Sequence, residues 1–153
     1  MKRQQRTIGS ILEIDLQDDT FAYTQVLDKA NFAFFDYKAK QRLSNFNILT
    51  EVGILFIAAV YKDVVTEGRW LKVDKMAIQG GLEILPMKFI QDALEPSKFS
   101  LYNPNTGEMI PCTREQANGL ECAAVWEAEH IESRIRDHYE GKSKGWAEQL
   151  EIE

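Results

Sequence analysis

Residues 11–27 read ILEIDLQDDTFAYTQVL, and this stretch decides the fold. In residues 11–16, apolar side chains alternate with two acids. A period of two places successive side chains on opposite faces of a β-strand, so we expect one apolar face and one polar face. The polar residues 17–20 favour a turn, and residues 21–27 are predicted to return as the second strand of a hairpin.

More strands are predicted along the chain. Residues 31–37 are rich in aromatics and predict a third strand, and the short apolar stretch 54–61 is typical of a buried central strand. Residues 69–73 resume a strand pattern after a glycine, and residues 98–102 and 108–112 indicate a second hairpin.

The last element is predicted to be an amphipathic helix. Ala128, Ile131, Ile135 and His138 are spaced by three, four and three residues, which places them on one helical face. Gly141 is a natural stop for this helix. Shorter helices are expected elsewhere, and we place them after two polar capping residues, Ser44 and Thr113.

Together these patterns predict an α+β fold. We expect a curved, mostly antiparallel sheet packed by the C-terminal amphipathic helix and by short helices, and the N-terminal part of that sheet could be barrel-like. Residues 76–96 are interrupted by glycines and prolines and give no clear pattern. Without repeats or linkers, residues 1–141 are predicted to form a single domain and residues 142–153 a mobile acidic tail.

Composition narrows the classes of function. The 153-residue chain carries a net charge of −6, and its last part, residues 121–153, holds nine acids against four bases. Acidic surfaces repel phosphate backbones, which makes a nucleic-acid partner an unfavourable prediction. The longest uncharged apolar run is ten residues, whereas a membrane-spanning helix needs about 20. With only two cysteines and no such run, we expect a cytoplasmic protein with reduced thiols and no membrane partner.

Catalytic and cofactor motifs are absent from the sequence. The two histidines, His130 and His138, would lie about 12 Å apart along one helix, too far for a shared metal ion. We therefore predict no metal site, no cofactor and no enzymatic activity. If the chain were an unrecognised enzyme, the candidate catalytic residues would be Asp36, Arg114, His130 and Arg134. A network that joins a strand to the helix is the simpler explanation of that set.

At this point the residues suggest a family. The chain resembles the immunity protein 26 family of bacterial polymorphic toxin systems. The resemblance is carried by ordered local patterns: GSILEI (9–14), FAYTQVL (21–27), FAFFD (32–36), GRW (68–70), and a C-terminal block of TRE (113–115), GLE (119–121), AAVW (123–126) and EHIESRIRDHY (129–139). Residues 76–95 and the chain from Glu140 onward depart from the pattern.

The resemblance implies a non-catalytic protein that binds and neutralises a cognate bacterial toxin. It does not identify the toxin. If that toxin is a nuclease, an acidic patch could mimic its phosphate substrate, and the candidate contact residues are then Glu121, Glu127, Glu129 and Glu132. A solvated helix face is the simpler explanation of these acids.

A small β-barrel module that binds a peptide or a nucleic acid is the alternative function. The aromatic side chains of Phe32, Phe34, Phe35 and Tyr37 could stack on bases. They are explained more simply as core residues of a strand.

Overall fold

The computed structural model describes residues 3–141, and the predicted tail 142–153 lies outside them. Within these residues the chain forms ten strands and three α-helices. The helices are α1 (Asp63–Thr66), α2 (Arg114–Ala117) and α3 (Ala128–Tyr139). The strands are β1 (Ser10–Asp15), β2 (Phe21–Val26), β3 (Asn31–Ala39), β4 (Ile54–Val60), β5 (Leu71–Lys75), β6 (Lys88–Gln91), β7 (Phe99–Tyr102), β8 (Met109–Cys112), β9 (Glu121–Cys122) and β10 (Val125–Trp126).

The larger sheet has six strands in the order β10-β4-β3-β2-β1-β5. The four strand pairs among β1 to β5 are antiparallel. The register shifts in three of these pairs, which bends the strands. The sheet therefore is mostly antiparallel, as predicted. The barrel-like alternative is wrong: in the described chain β5 and β10 end the sheet and do not close it.

The expected polar face of β1 is confirmed at Asp15, which is exposed, and is wrong at Glu13. Ile11, Leu12 and Ile14 are fully buried, and Glu13 is only 5% exposed. The Tyr23 hydroxyl donates to Glu13 Oε2 at 3.0 Å, and Arg42 forms an ion pair with the same carboxylate at 3.3 Å. A buried carboxylate with these partners behaves as a core residue, so the alternation of residue types did not predict the burial of Glu13.

Both faces of the large sheet are covered. On one face Ile131 and Ile135 of α3 pack with Phe32, Phe34 and Trp70. The other face is closed by non-sheet segments, through Leu49 and Leu85. The prediction that a C-terminal amphipathic helix packs on the sheet is thus confirmed.

A second, four-stranded sheet has the order β8-β7-β6-β9. The predicted hairpin is its β7–β8 pair. Its central strand β6 lies in the region that gave no sequence pattern. Residues 121–126 join the two sheets, because β9 pairs parallel with β6 and β10 pairs parallel with β4.

The short helices agree in part with the expectations. Thr113 caps α2 through a capping box with Gln116, as its position before the helix predicted. The predicted cap at Ser44 is wrong: a 3-10 helix spans Asn47–Thr50, and no side chain caps it.

Candidate functional site

Glu132 of α3 is a buried anchor of the fold. It is 3% exposed, and its carboxylate accepts hydrogen bonds from three donors. Arg69 donates from Nε at 3.0 Å and from Nη2 at 2.9 Å, and Trp70 donates from Nε1 at 2.9 Å. These hydrogen bonds raise the pKa of Arg69 above its ordinary value. Glu132 therefore has a structural role, because its hydrogen bonds fix α3 against Arg69 and Trp70.

Glu121 of β9 is also engaged within the chain. Both of its oxygens accept from the Arg134 guanidinium, at 2.6 and 3.2 Å. The same guanidinium lies 3.7 Å from the ring centroid of Phe56 and 5.1 Å from that of Trp126. A bidentate pair stacked on aromatic rings holds its geometry firmly, which joins β9, α3 and the large sheet.

Glu127 and Glu129 are placed differently, since both are exposed at the start of α3. They line an open groove of about 310 Å³ together with Asp63 and Glu67 of the α1 region. We call the groove formed by Tyr61, Asp63, Val64, Glu67, Arg69, Glu127, Ala128 and Glu129 the acidic groove.

The acidic groove carries an excess of negative charge. Four carboxylates line it, and its one cationic residue, Arg69, is already bonded to Glu132. Tyr61 adds a large aromatic side chain that is 52% exposed. Such a concave surface can attract a basic group and pack against an apolar one.

Asp63, Glu67 and Tyr61 are groove residues that the sequence did not predict. The two acids are four residues apart, a spacing that places them on one face of a helix. The four-residue helix α1 is too short to give a periodic pattern, so the sequence did not show that the two acids lie on one face.

The polar residues considered for catalysis lie on different elements. Asp36 on β3 accepts a hydrogen bond from the Tyr139 hydroxyl at 2.9 Å, and Arg134 is bound to Glu121. Burial and this bond to Asp36 raise the pKa of Tyr139. Arg114 and His130 are exposed in the first turns of α2 and α3. Asp36 and Arg134 thus have strand-to-helix partners, the arrangement expected of a structural network.

The aromatic strand offers no stacking surface in its first half. Phe32 and Phe34 are fully buried and Phe35 nearly so, while Tyr37 is half-buried and packs against the buried cluster that contains Phe35. These side chains are core residues, which removes the observation that favoured a base-stacking module.

The cysteines, possible metal ligands and helix lengths give no further candidate site in residues 3–141. Cys112 and Cys122 are free thiols. Among residues 3–141, no group of three or more His, Cys, Asp or Glu side chains is arranged to hold a metal ion. No helix in that same range has the length and apolar character needed to cross a membrane.

These features define a class: an α+β protein of two sheets that presents an acidic groove beside the start of its C-terminal helix. The chain belongs to the immunity protein 26 family, whose model matches residues 7–100, more than half of the 153 residues. The family predicted from the sequence is thereby confirmed. The C-terminal block 113–139, which also carried the resemblance, lies beyond the matched range. No curated protein and no solved structure matches the chain.

Proposed function

We propose that this chain is an immunity protein that binds a bacterial toxin and neutralises it by occupying its surface, without catalysis. The observation that carries the proposal is membership of the immunity protein 26 family. We expect the encounter to take place in the cytoplasm, where both thiols would stay reduced.

The acidic groove is our proposed contact surface. Of the four glutamates considered at first, Glu127 and Glu129 are exposed in this groove, whereas Glu132 is buried and Glu121 is bonded to Arg134. The contact set therefore becomes Glu127 and Glu129 together with Asp63 and Glu67. A toxin with a basic patch, such as a phosphate-binding one, is the partner whose charge complements this groove.

The test is protection followed by isolation of the complex. The chain is expressed in a sensitive bacterium that also produces, one at a time, a panel of polymorphic toxin domains. We expect growth rescue against one toxin and co-purification of that toxin with this chain. Rescue with no complex would contradict binding as the mechanism and would indicate enzymatic protection. Failure to rescue against the toxins encoded beside this chain would count against the immunity function.

A further inference from the structure

A second cavity, of about 300 Å³, lies between the two sheets. The large sheet contributes Asn31 and Val125 to its wall, and the small sheet contributes Lys88 and Tyr102. We call it the inter-sheet cavity. It is separate from the acidic groove, with which it shares no lining residue.

Lys88 is an unusual residue for such a wall. It is 2% exposed, and its ammonium donates one hydrogen bond, to Asn31 Oδ1 at 2.8 Å. An ammonium has three N–H donors, and among the described residues no carboxylate lies within ion-pair distance of it. Buried lysines are seldom left without a counter-ion, because burial of an unpaired charge is costly.

The surrounding charges do not balance. Glu121 lies opposite Lys88 in the β6–β9 pairing, but both of its oxygens are taken by Arg134. Lys88 and Arg134 therefore share one carboxylate, and the exposed Lys29 also lines the cavity, so its wall has an excess of positive charge. Burial lowers the pKa of Lys88, and the negative charge of Glu121 only partly offsets this.

We propose that the inter-sheet cavity binds a monocarboxylate that carries a small apolar group, with Lys88 as its counter-ion. Tyr102 is the register partner of Lys88 on β7, so the two side chains lie on the same face of the small sheet. The phenol and the ammonium can then both donate to one carboxylate. Ile90, Ala59 and Val125 supply apolar wall for the rest of the ligand.

The excess of positive charge favours an anionic ligand, and the apolar part of the wall favours one that carries an apolar group. The cavity is at the small end of the usual range of about 300–1,000 Å³ for ligand sites, which fits an acid of a few carbons. The carboxylate could belong to a free acid or to the C-terminal residue of a polypeptide. The proposal does not rest on toxin binding.

The test uses three probes on the full chain: sodium butyrate, the peptide Gly-Gly-Val with a free carboxylate, and the same peptide as its C-terminal amide. Binding is followed by calorimetry and by the amide NMR shifts of β6 and β7. We expect saturable binding of butyrate, of the free-carboxylate peptide or of both, with a dissociation constant on the order of 1 mM or tighter. The amidated peptide should not bind.

Lys88→Met removes the charge and keeps the length of the side chain, so it should weaken binding at least about tenfold. Lys98→Met is the matched control, because Lys98 is exposed and does not line the cavity. Ala124→Phe is a second variant, since Ala124 is an exposed lining residue where a larger side chain would narrow the cavity without entering the core.

The outcomes are distinct. Binding of butyrate alone would assign a free acid, and binding of the free-carboxylate peptide but not its amide would assign a polypeptide terminus. Either one, lost in Lys88→Met or in Ala124→Phe, supports the site. No saturable binding of any probe, or equal binding by wild type and a folded Lys88→Met variant, would overturn it.

Discussion

Glu132, Arg69 and Trp70 show how one buried residue can fix the position of a helix. The carboxylate of Glu132 is enclosed, whereas the Arg69 side chain is 45% exposed. The indole N–H of fully buried Trp70 has its hydrogen-bond acceptor in Glu132. Removal of the carboxylate charge leaves the Arg69 and Trp70 donors without a good acceptor. The free-energy cost of these unsatisfied donors is larger than the net contribution of the ion pair relative to apolar side chains in its place.

We predict that Glu132→Gln lowers the free energy of unfolding by about 2 kcal/mol, because hydrogen bonds to a charged acceptor are lost while the volume is kept. Urea unfolding measures the change. Glu129→Gln is the control, since Glu129 is exposed on the same helix and should leave the midpoint unchanged. Equal midpoints for both variants would contradict the structural role of Glu132.

A second residue-scale prediction concerns alkaline stability. Burial raises the pKa of the Tyr23 phenol from 10.0 to about 12. The folded state therefore holds this proton more tightly than the unfolded chain does. The resulting stability is fully present below pH 10 and is lost as the pH rises through about 12.

We expect the urea midpoint of the wild type to fall as the pH is raised above about 10. In Tyr23→Phe the fall should be shallower, since phenylalanine does not ionise, although this variant starts from a lower stability because the hydrogen bonds to Glu13 and Leu43 are gone. Midpoint curves of wild type and variant that run parallel from neutral to alkaline pH would show that Tyr23 does not contribute.

At the scale of elements, α3 is held by a narrow apolar stripe. Ile131 and Ile135 are buried against the sheet, whereas His138, which the spacing placed on the same face, is exposed. The helix ends one residue later at Tyr139, whose hydroxyl donates a hydrogen bond to Asp36 of β3. The periodicity therefore identified the stripe and overestimated its length by one turn.

We predict that Ile135→Ala destabilises the fold by roughly 2–5 kcal/mol, the range for truncation of a fully buried isoleucine. His138→Ala on the same helix should change stability by less than about 0.5 kcal/mol, as expected of an exposed site. Thermal and urea unfolding of the two variants measure the contrast. Similar losses in both would mean that α3 docks through a longer face than the structure indicates.

The elements that could be predicted from the sequence are those with a local signal. The hairpin of β1 and β2, the strand β3, the β7–β8 hairpin and the helix α3 all have periodic patterns or turn residues within a few positions. The missed elements have no such signal. β9 and β10 are two residues each and exist only because distant strands pair with them in parallel.

The candidate site was predictable only in part, for a related reason. The density of acids in the sequence pointed to Glu127 and Glu129, but it could not show that these two are exposed while Glu132 is buried. The burial of Glu132 depends on Arg69 and Trp70, which are more than sixty residues away in the chain. Asp63 is distant in sequence from Glu127 and Glu129, and only the fold brings it into the same groove.

At the scale of the whole molecule, the net charge of −6 matters less than where the exposed acids lie. Many of the acidic side chains are spread over the surface. Long-range attraction from such separate charges is screened within about 8 Å at physiological salt. The acidic groove concentrates four carboxylates in one concave place and combines α1, inside the family match, with the start of α3, outside it. We therefore expect binding to depend on this local charge rather than on the total.

The most direct measurement is the affinity of this chain for the toxin that it protects against, taken for three proteins by calorimetric titration. The double variant Glu127→Lys and Glu129→Lys reverses two groove charges. The double variant Glu51→Lys and Glu83→Lys is the control, since it changes the net charge equally at exposed sites outside the groove. The account predicts that the groove variant binds at least about 100-fold more weakly, since close charge pairs contribute on the order of 1.5–7 kcal/mol each, and that the control stays near wild type. Equal affinity in all three proteins would contradict toxin recognition through the acidic groove.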